Sequence, residues 1–315
     1  MGTVSVTLRT LLCAVACWCC SLPLQAAQRE LAVTLDDLPV VVPGVEGTTL
    51  TRQLVAALAA RQVPAVGFVN EAGLLRDAAI DPDRVATLVL WLEAGLELGN
   101  HTRSHLSLNR VALADYEEDL IRGEETAAAL LARRGERLRW FRPPYLHTGA
   151  DPQTRAALEA FLARRGYALA PVTITNDDWV FAAAYTEAQR RGQAAQAARV
   201  AEAYLAHTRA SVARAESLAM DLLGRPLRQI LLLHANALNA AQLPRLLALL
   251  EERGYRFVSL ERALQDPAYR QPDTVFEPPD EPWLARWTRA AGMRPSRPPT
   301  IPAFVLQLAG RDRYR

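Results

Sequence analysis

Five short polar clusters stand out along the chain, each directly behind an apolar run. Asp36-Asp37 follow Leu31–Leu35, and Gly99-Asn100-His101-Thr102-Arg103-Ser104-His105 follow Leu96–Leu98. Arg142-Pro143-Pro144-Tyr145 follow Leu138–Phe141, Asn176-Asp177-Asp178-Trp179 follow Val172–Thr175, and Ile230–Leu233 runs into His234. His101 and His105 are two of only five histidines. Four residues apart, they face the same way on a helical turn and can grip one ion. Thr102 stands where a zincin carries its glutamate base, which excludes that pattern. A carboxylate from Asp36-Asp37 would complete a three-ligand site with positions left for water and substrate. Adjacent strand-end residues point in different directions, so one carboxylate can bind the ion while the other faces substrate as a base. Each cluster also has an ordinary reading: a turn or cap for Asp-Asp, a rigid loop for Arg-Pro-Pro-Tyr, a capped helix for Asp-Trp, a core position for His234. Their occurrence together in this order points to a catalytic site.

The apolar runs that carry these clusters read as strands, joined by two more at Ala65–Val69 and Tyr167–Ala170 and a last one at Tyr255–Val258. Between them lie helical patterns at Leu50–Arg61, Asp81–Ala94, Ala112–Arg134, Pro152–Arg165 and Gln242–Arg253. Asp81-Pro82 is a helix start with an N-cap aspartate, and Gly95, Gly135, Gly166 and Gly254 sit where C-cap glycines belong. Helix-then-strand alternation argues for parallel strands with helical crossovers, hence an α/β barrel or open sheet. Residues 182–224, with 15 alanines and no proline, predict one or two long helices inserted before Ile230. Residues 266–315 hold 9 of the 20 prolines together with Trp283 and Trp287, and predict an irregular tail wrapped on the domain.

The chain has 315 residues, 50% hydrophobic and 22% charged, a composition that excludes a disordered chain, a coiled coil and a multi-span membrane protein. All 36 basic residues are arginine, and the net charge of +2 carries no electrostatic footprint for nucleic acid. Arg9, an apolar run over Leu11–Leu24 and the small pair Ala26-Ala27 have the layout of a secretory signal spanning 1–26. An uncleaved anchor and a lipoprotein signal at Cys17 are the alternatives. All four cysteines (Cys13, Cys17, Cys19, Cys20) fall in that segment, so no disulfide or thiolate metal site is available beyond it. The expectation is export to a periplasm or beyond, with no membrane span after cleavage.

The ordered clusters resemble the polysaccharide deacetylase (NodB-homology, carbohydrate esterase family 4) domain over about 27–265. The resemblance rests on Thr34-Leu35-Asp36-Asp37, His101-Thr102-Arg103-Ser104-His105, Arg142-Pro143-Pro144-Tyr145, Asp178-Trp179 and Leu232-Leu233-His234. It implies a distorted (β/α) barrel, here with a helical insertion at 182–224 and a C-terminal extension at 266–315. It implies that Asp37, His101 and His105 bind a divalent metal, most often zinc. Asp36 would be the general base, paired with Arg142, and the Tyr145 backbone N–H would stabilise the oxyanion. His234 would protonate the leaving group, held by a carboxylate assigned to Asp178, with Asp177 the other candidate. Trp179 and Leu232 would wall an acetyl-sized pocket. The implied substrate is an acetylated poly- or oligosaccharide. A non-catalytic carbohydrate-binding protein and a small-molecule amide hydrolase of the same fold are the alternatives. Leu38 and Leu146 stand where the family pattern carries glycine.

Overall fold

The computed structural model describes residues 2, 29–40, 47–278 and 280–311; the expected signal segment, Gly2 apart, lies outside them. Among the described residues the strands are β1 Arg29–Leu38, β2 Ala65–Val69, β3 Leu75–Arg76, β4 Ala79–Ile80, β5 Glu97–Asn100, β6 Trp140–Phe141, β7 Ala168–Leu169, β8 Gln229–His234 and β9 Tyr255–Phe257. The helices are α1 Gly47–Ala59, α2 Pro82–Glu93, α3 Leu113–Arg122, α4 Glu125–Ala132, α5 Pro152–Arg165, α6 Asp178–Arg190, α7 Ala194–Leu223, α8 Ala237–Glu252, α9 Leu260–Leu264, α10 Trp283–Ala290 and α11 Ala303–Leu308.

β1 is buried almost throughout, as a parallel strand covered on both faces must be. The main sheet runs β7-β6-β5-β2-β1-β8, with β9 also on β1, and every pairing in it is parallel. Side-chain alternation sorts its residues onto two faces. Leu31, Val33, Leu35, Leu231 and Leu233 face the helices, sharing one core with Leu54, Leu58, Trp91, Leu243 and Leu246. Ala32, Val66, Phe68, Trp140, Ala170, Ile230 and Val258 point the other way and plug the interior of the curled sheet. Two and four residues beyond that plug, on the same face, stand Thr34 and Asp36 of β1 and Leu232 and His234 of β8; Arg142 stands two beyond Trp140. An apolar floor therefore carries a polar layer at the carboxyl ends of the strands, where (β/α) barrels place their chemistry. The fold is a distorted (β/α) barrel.

The structure corrects several expected boundaries. Val172–Thr175 is not a strand. It makes one isolated bridge, Ile174 to Leu231, and hands its hydrogen bonds directly to β8, as in Thr173 N–H to the Ile230 carbonyl at 3.0 Å. The single helix expected over Ala112–Arg134 is two, broken at Gly123-Glu124. A Cβ on Gly123 would lie 2.4 Å from the Thr102 carbonyl carbon, so only glycine lets this corner rest on the His101–His105 loop. Residues 182–224, expected as one or two long helices, lie in two, α6 and α7, the first of which starts earlier, at Asp178. The tail is more ordered than its prolines suggest. It carries α10 and α11, and Trp283, Leu284, Trp287, Val305 and Leu306 join the main core. No helix of the described residues is long and apolar enough to cross a membrane.

Candidate active site

Asp37, His101 and His105 converge, their ligand-capable atoms all within 4.8 Å of one another. Asp37 Oδ1 lies 3.7 Å from His101 Nε2 and 3.6 Å from His105 Nε2. The means differs from the expected helical turn, because residues 101–105 form a loop. Thr102 (φ 64°) and His105 (φ 55°) adopt the left-handed region, and that bend turns both rings to one side. Side-chain oxygens hold the bend by accepting from its amides. Asn100 Oδ1 accepts from Thr102 N–H at 2.7 Å, Asp119 Oδ2 from Ser104 N–H at 2.9 Å, and Thr102 Oγ1 from His105 N–H at 3.1 Å. In a regular strand Asp36 and Asp37 would face opposite ways. Asp37 has φ 65° and the β1–β2 register shifts between Leu35 and Leu38, so a bulge brings both carboxylates to His101.

The donor set fits a divalent ion of the zinc type. Two imidazole nitrogens and one carboxylate oxygen at 2.0–2.2 Å from a tetrahedral ion sit roughly 3.4 Å apart, close to the separations found here. His101 Nδ1–H donates to the Arg142 carbonyl at 2.7 Å, which fixes the tautomer and leaves Nε2 as a lone pair toward Asp37. Burial and the neighbouring His101 pull His105 down to about 4 against the pull of Asp37 and Asp36, so its ring is neutral and free to ligate. Burial works to raise the Asp37 carboxyl, yet His234, His101 and His105 together hold it below the ordinary carboxylate range.

Asp36, 2% exposed, lies 3.9 Å from His101 Nε2 and meets Arg142 Nη1 at 3.0 Å and 3.3 Å through its two oxygens. Arg142 is wholly buried. Its remaining donors go to the Ala170 carbonyl at 2.6 Å and Thr34 Oγ1 at 3.2 Å, and its plane lies over Phe68. Burial pulls the Arg142 guanidinium down while Asp36 opposes it. A buried pair of this kind is tolerable only because every polar atom is met.

Asp36 and His234 are partners in the β1–β8 register. His234 Nδ1–H donates to Asp178 Oδ1 at 2.7 Å, and His234 N–H to Asp178 Oδ2 at 2.7 Å. The partner is Asp178; Asp177 instead accepts from His207 Nε2–H at 2.9 Å. Burial pushes the His234 imidazole down, but Asp178, with Asp37 and Asp36 farther off, lifts it to about 10. Nε2 of this ring is thereby a proton donor held at the site. Sequence spacing does not reveal what surrounds the dyad. Asn239 Nδ2 donates to Asp178 Oδ2 at 2.5 Å and to the His234 carbonyl at 2.8 Å, and Tyr204 OH donates to Asn239 Oδ1 at 2.6 Å. Asn176 Nδ2 reaches Tyr204 OH and Thr208 Oγ1, both at 3.0 Å. Helix α7 thus reaches His234 through two side chains, Tyr204 and Asn239.

The Arg142-Pro143-Pro144-Tyr145 turn brings the Tyr145 ring to 4.6 Å from His105 and 5.5 Å from His147. Tyr145 and Leu146 are both left-handed, at φ 58° and 61°, the second at a position where glycine would be at ease. His147, whose ring is held 2.7 Å from Ser107 Oγ, is a neighbour of the site outside the expected set. Leu232 is buried on the site-facing side of β8. Trp179 lies in the first turn of α6 beside Asp178, with the Arg311 guanidinium 4.3 Å from its ring centre.

Residues 25–161 match the family model described as polysaccharide deacetylase. Among solved structures, the fold is similar to that of a polysaccharide deacetylase from Bacillus cereus, at 17% identity and TM-score 0.52, covering 81% of this chain and 100% of that one. It is also similar to a carbohydrate esterase family 4 pseudoenzyme from Bacillus anthracis, at 15% identity and TM-score 0.51, covering 76% of this chain and 66% of that one. At these identities the likeness is one of fold. The family match ends before Asp178 and His234, whose pairing stands on the geometry alone.

Proposed function

We propose, for a chain whose residues 25–161 match the family model described as polysaccharide deacetylase, the activity of a metal-dependent hydrolase that removes acetyl groups from an N- or O-acetylated carbohydrate. The observation that carries this reading is the arrangement of three ligand side chains, Asp37, His101 and His105, between a buried carboxylate–arginine pair and a carboxylate–histidine pair.

Asp37, His101 and His105 would hold a divalent cation, zinc first, which would supply Lewis acidity at this position. Asp36, held in place by Arg142, accepts the proton of the attacking water as its oxygen bonds to the acetyl carbonyl carbon. The Tyr145 backbone N–H donates to the oxygen on which charge develops. The C–N or C–O bond then breaks, His234 gives its Nε2 proton to the departing amine or alcohol, and acetate leaves. Asp178 orients His234 and balances its charge. Trp179 and Leu232 wall the acyl pocket in this reading, and the exposed Tyr145 ring offers a sugar a face to stack on.

Metal content of the purified protein, followed by acetate release from a soluble acetylated chito-oligosaccharide, tests the proposal. About one divalent ion per chain, lost in His101→Ala and in His105→Ala together with activity, is the expected result. A folded protein that takes up no ion after reconstitution would sink it. The reading includes export, supported by the composition of residues 1–26; N-terminal sequencing of the protein from a periplasmic fraction should find a mature start near Ala27 or Gln28.

A further inference from the structure

We propose that Arg286, from the C-terminal extension, is a positioning residue for the Tyr145 oxyanion donor, so that the extension is a working part of the catalytic site. The inference rests on the hydrolase reading above.

Arg286 is 1% exposed, deep within a segment outside the family match. All three ends of its guanidinium are committed. Nε donates to the Glu281 carbonyl at 2.8 Å, Nη1 to Asp273 Oδ2 at 2.9 Å, and Nη2 to the Leu146 carbonyl at 2.7 Å, with the Trp283 ring stacked at 4.5 Å. The Leu146 carbonyl belongs to the turn that presents Tyr145. That turn needs external support, because Tyr145 and Leu146 are consecutive non-glycine residues in the left-handed region. Such a residue is strained and persists only where the surroundings over-determine it.

Within the turn, Leu146 N–H donates to the Pro143 carbonyl at 3.1 Å and His147 N–H to the Pro144 carbonyl at 3.0 Å. The Leu146 carbonyl is the group that Arg286 seizes, and a charge-assisted bond from a fully committed guanidinium has almost no freedom to shift. The anchor is itself anchored. Asp273 also pairs with Arg155 of α5 at 3.2 Å, Arg155 Nη2 donates to the Val275 carbonyl at 3.1 Å, and Trp283 N–H donates to the Val172 carbonyl at 2.8 Å. The turn, α5 and the extension thus close around one arginine. An oxyanion donor must stay within a fraction of an ångström of its productive position, about 2.7–3.1 Å from the oxygen it serves, so loss of this tie acts on the chemical step more than on binding.

The test compares the full chain carrying Arg286→Ala with the wild type, using a soluble acetylated chito-oligosaccharide as probe. We expect kcat to fall on the order of 10²-fold with KM and metal content unchanged, and added guanidinium ion to restore much of the loss. Arg225→Gln, which breaks an extension ion pair with Asp266 away from the site, serves as the control and keeps wild-type kcat. If Arg286→Ala fails to fold, Arg286→Lys keeps a cation for Asp273 without the fork that also reaches Leu146, and should show the same fall in kcat. Wild-type kcat in the Arg286 variants, a loss that Arg225→Gln matches, or a loss untouched by guanidinium would overturn the inference. If the wild type itself releases no acetate, the hydrolase reading falls, and amide exchange decides the positional claim. Exchange accelerated selectively over 143–149 in the Arg286 variant sustains it, and unchanged exchange there overturns it.

Discussion

The two halves of this site are held by different means. The candidate metal half, Asp37, His101 and His105, is set by backbone: a bulged strand end and a left-handed loop whose amides are met one by one. The proposed acid half, His234 and Asp178, is set by side chains: Asn239, Tyr204, Asn176 and Thr208, drawn from α7, α8 and the segment before α6. Three ligands for an ion need directions, which strained backbone supplies rigidly. A buried histidine–carboxylate pair needs its lone pairs satisfied, which only polar side chains can do inside a helical layer. The two halves should therefore fail differently when disturbed.

The largest effect belongs to the group between them. Asp36 touches the metal half through His101 and is supported through Arg142. Asp36→Asn should lower acetate release by about 10²–10⁴-fold or more while the bound ion remains, as read by paired rate and metal assays. Retained activity would overturn the assignment of the base.

Asn239→Ala should come next. It removes two donors, one to the Asp178 carboxylate and one to the His234 carbonyl, and a hydrogen bond to a buried charge is worth about 1.5–3 kcal/mol. If most of that loss falls on the transition state, kcat drops roughly 10–100-fold with metal affinity untouched. Gly123→Ala probes the other half. The added Cβ meets the Thr102–Arg103 backbone, which has no flexible end to swing aside, so the ligand loop must move. A fall of about 10–100-fold in metal affinity, measured by competition with a chelator, is expected. Were Asn239→Ala to release the ion and Gly123→Ala to spare it, the contrast between backbone and side-chain support would be wrong.

The same contrast separates what the sequence discloses from what it hides. β2 and α5 stand where their patterns put them, because each is a short apolar run or a capped amphipathic stretch with a sharp stop, as Gly166 at φ 76° illustrates. Asp36, Asp37, His101, Arg142 and His234 are legible because a charged or imidazole group directly behind a buried apolar strand is costly to place there unless it is paired or used. Val172–Thr175 looks like a strand and is not one. Burial in a barrel wall selects the same apolar residues, whether or not a full ladder forms. The left-handed turns at Asp37, Thr102, His105, Tyr145 and Leu146 carry no glycine, so no residue type announces them. Tyr204 is 35 residues from Asn239, Asn239 is 61 from Asp178, and Arg286 is 140 from Leu146, separations that no local pattern encodes. Tyr204 in particular reads as one more apolar-face residue of an alanine-rich helix, until its hydroxyl is seen to meet Asn239.

The smallest expected effect is a test of the backbone half by subtraction of a charge. Glu71 opens the turn that stitches the metal loop in place: its N–H donates to the Thr102 carbonyl at 3.3 Å, and Ala72 N–H to the Arg103 carbonyl at 2.9 Å. Its side chain is buried. Oε1 accepts from Thr126 N–H at 3.0 Å and from the Thr126 hydroxyl, while Oε2 has no partner among the described residues. Burial, against the Thr126 bonds, raises the carboxyl above its ordinary 4.5. The folded state therefore holds this proton more tightly than the unfolded one. The stability the group contributes is full below 4.5 and is lost as pH rises through the raised value. Glu71→Gln removes that loss and keeps the oxygen that Thr126 needs. The variant should be as stable as the wild type at neutral pH or more so, within about 1 kcal/mol, with a flatter dependence of melting temperature on pH above 4.5. Its metal affinity should not move, since the bonds from 71 and 72 to the ligand loop are made by backbone. A weakened ion in Glu71→Gln would mean that the charge, and not the main chain, holds that loop.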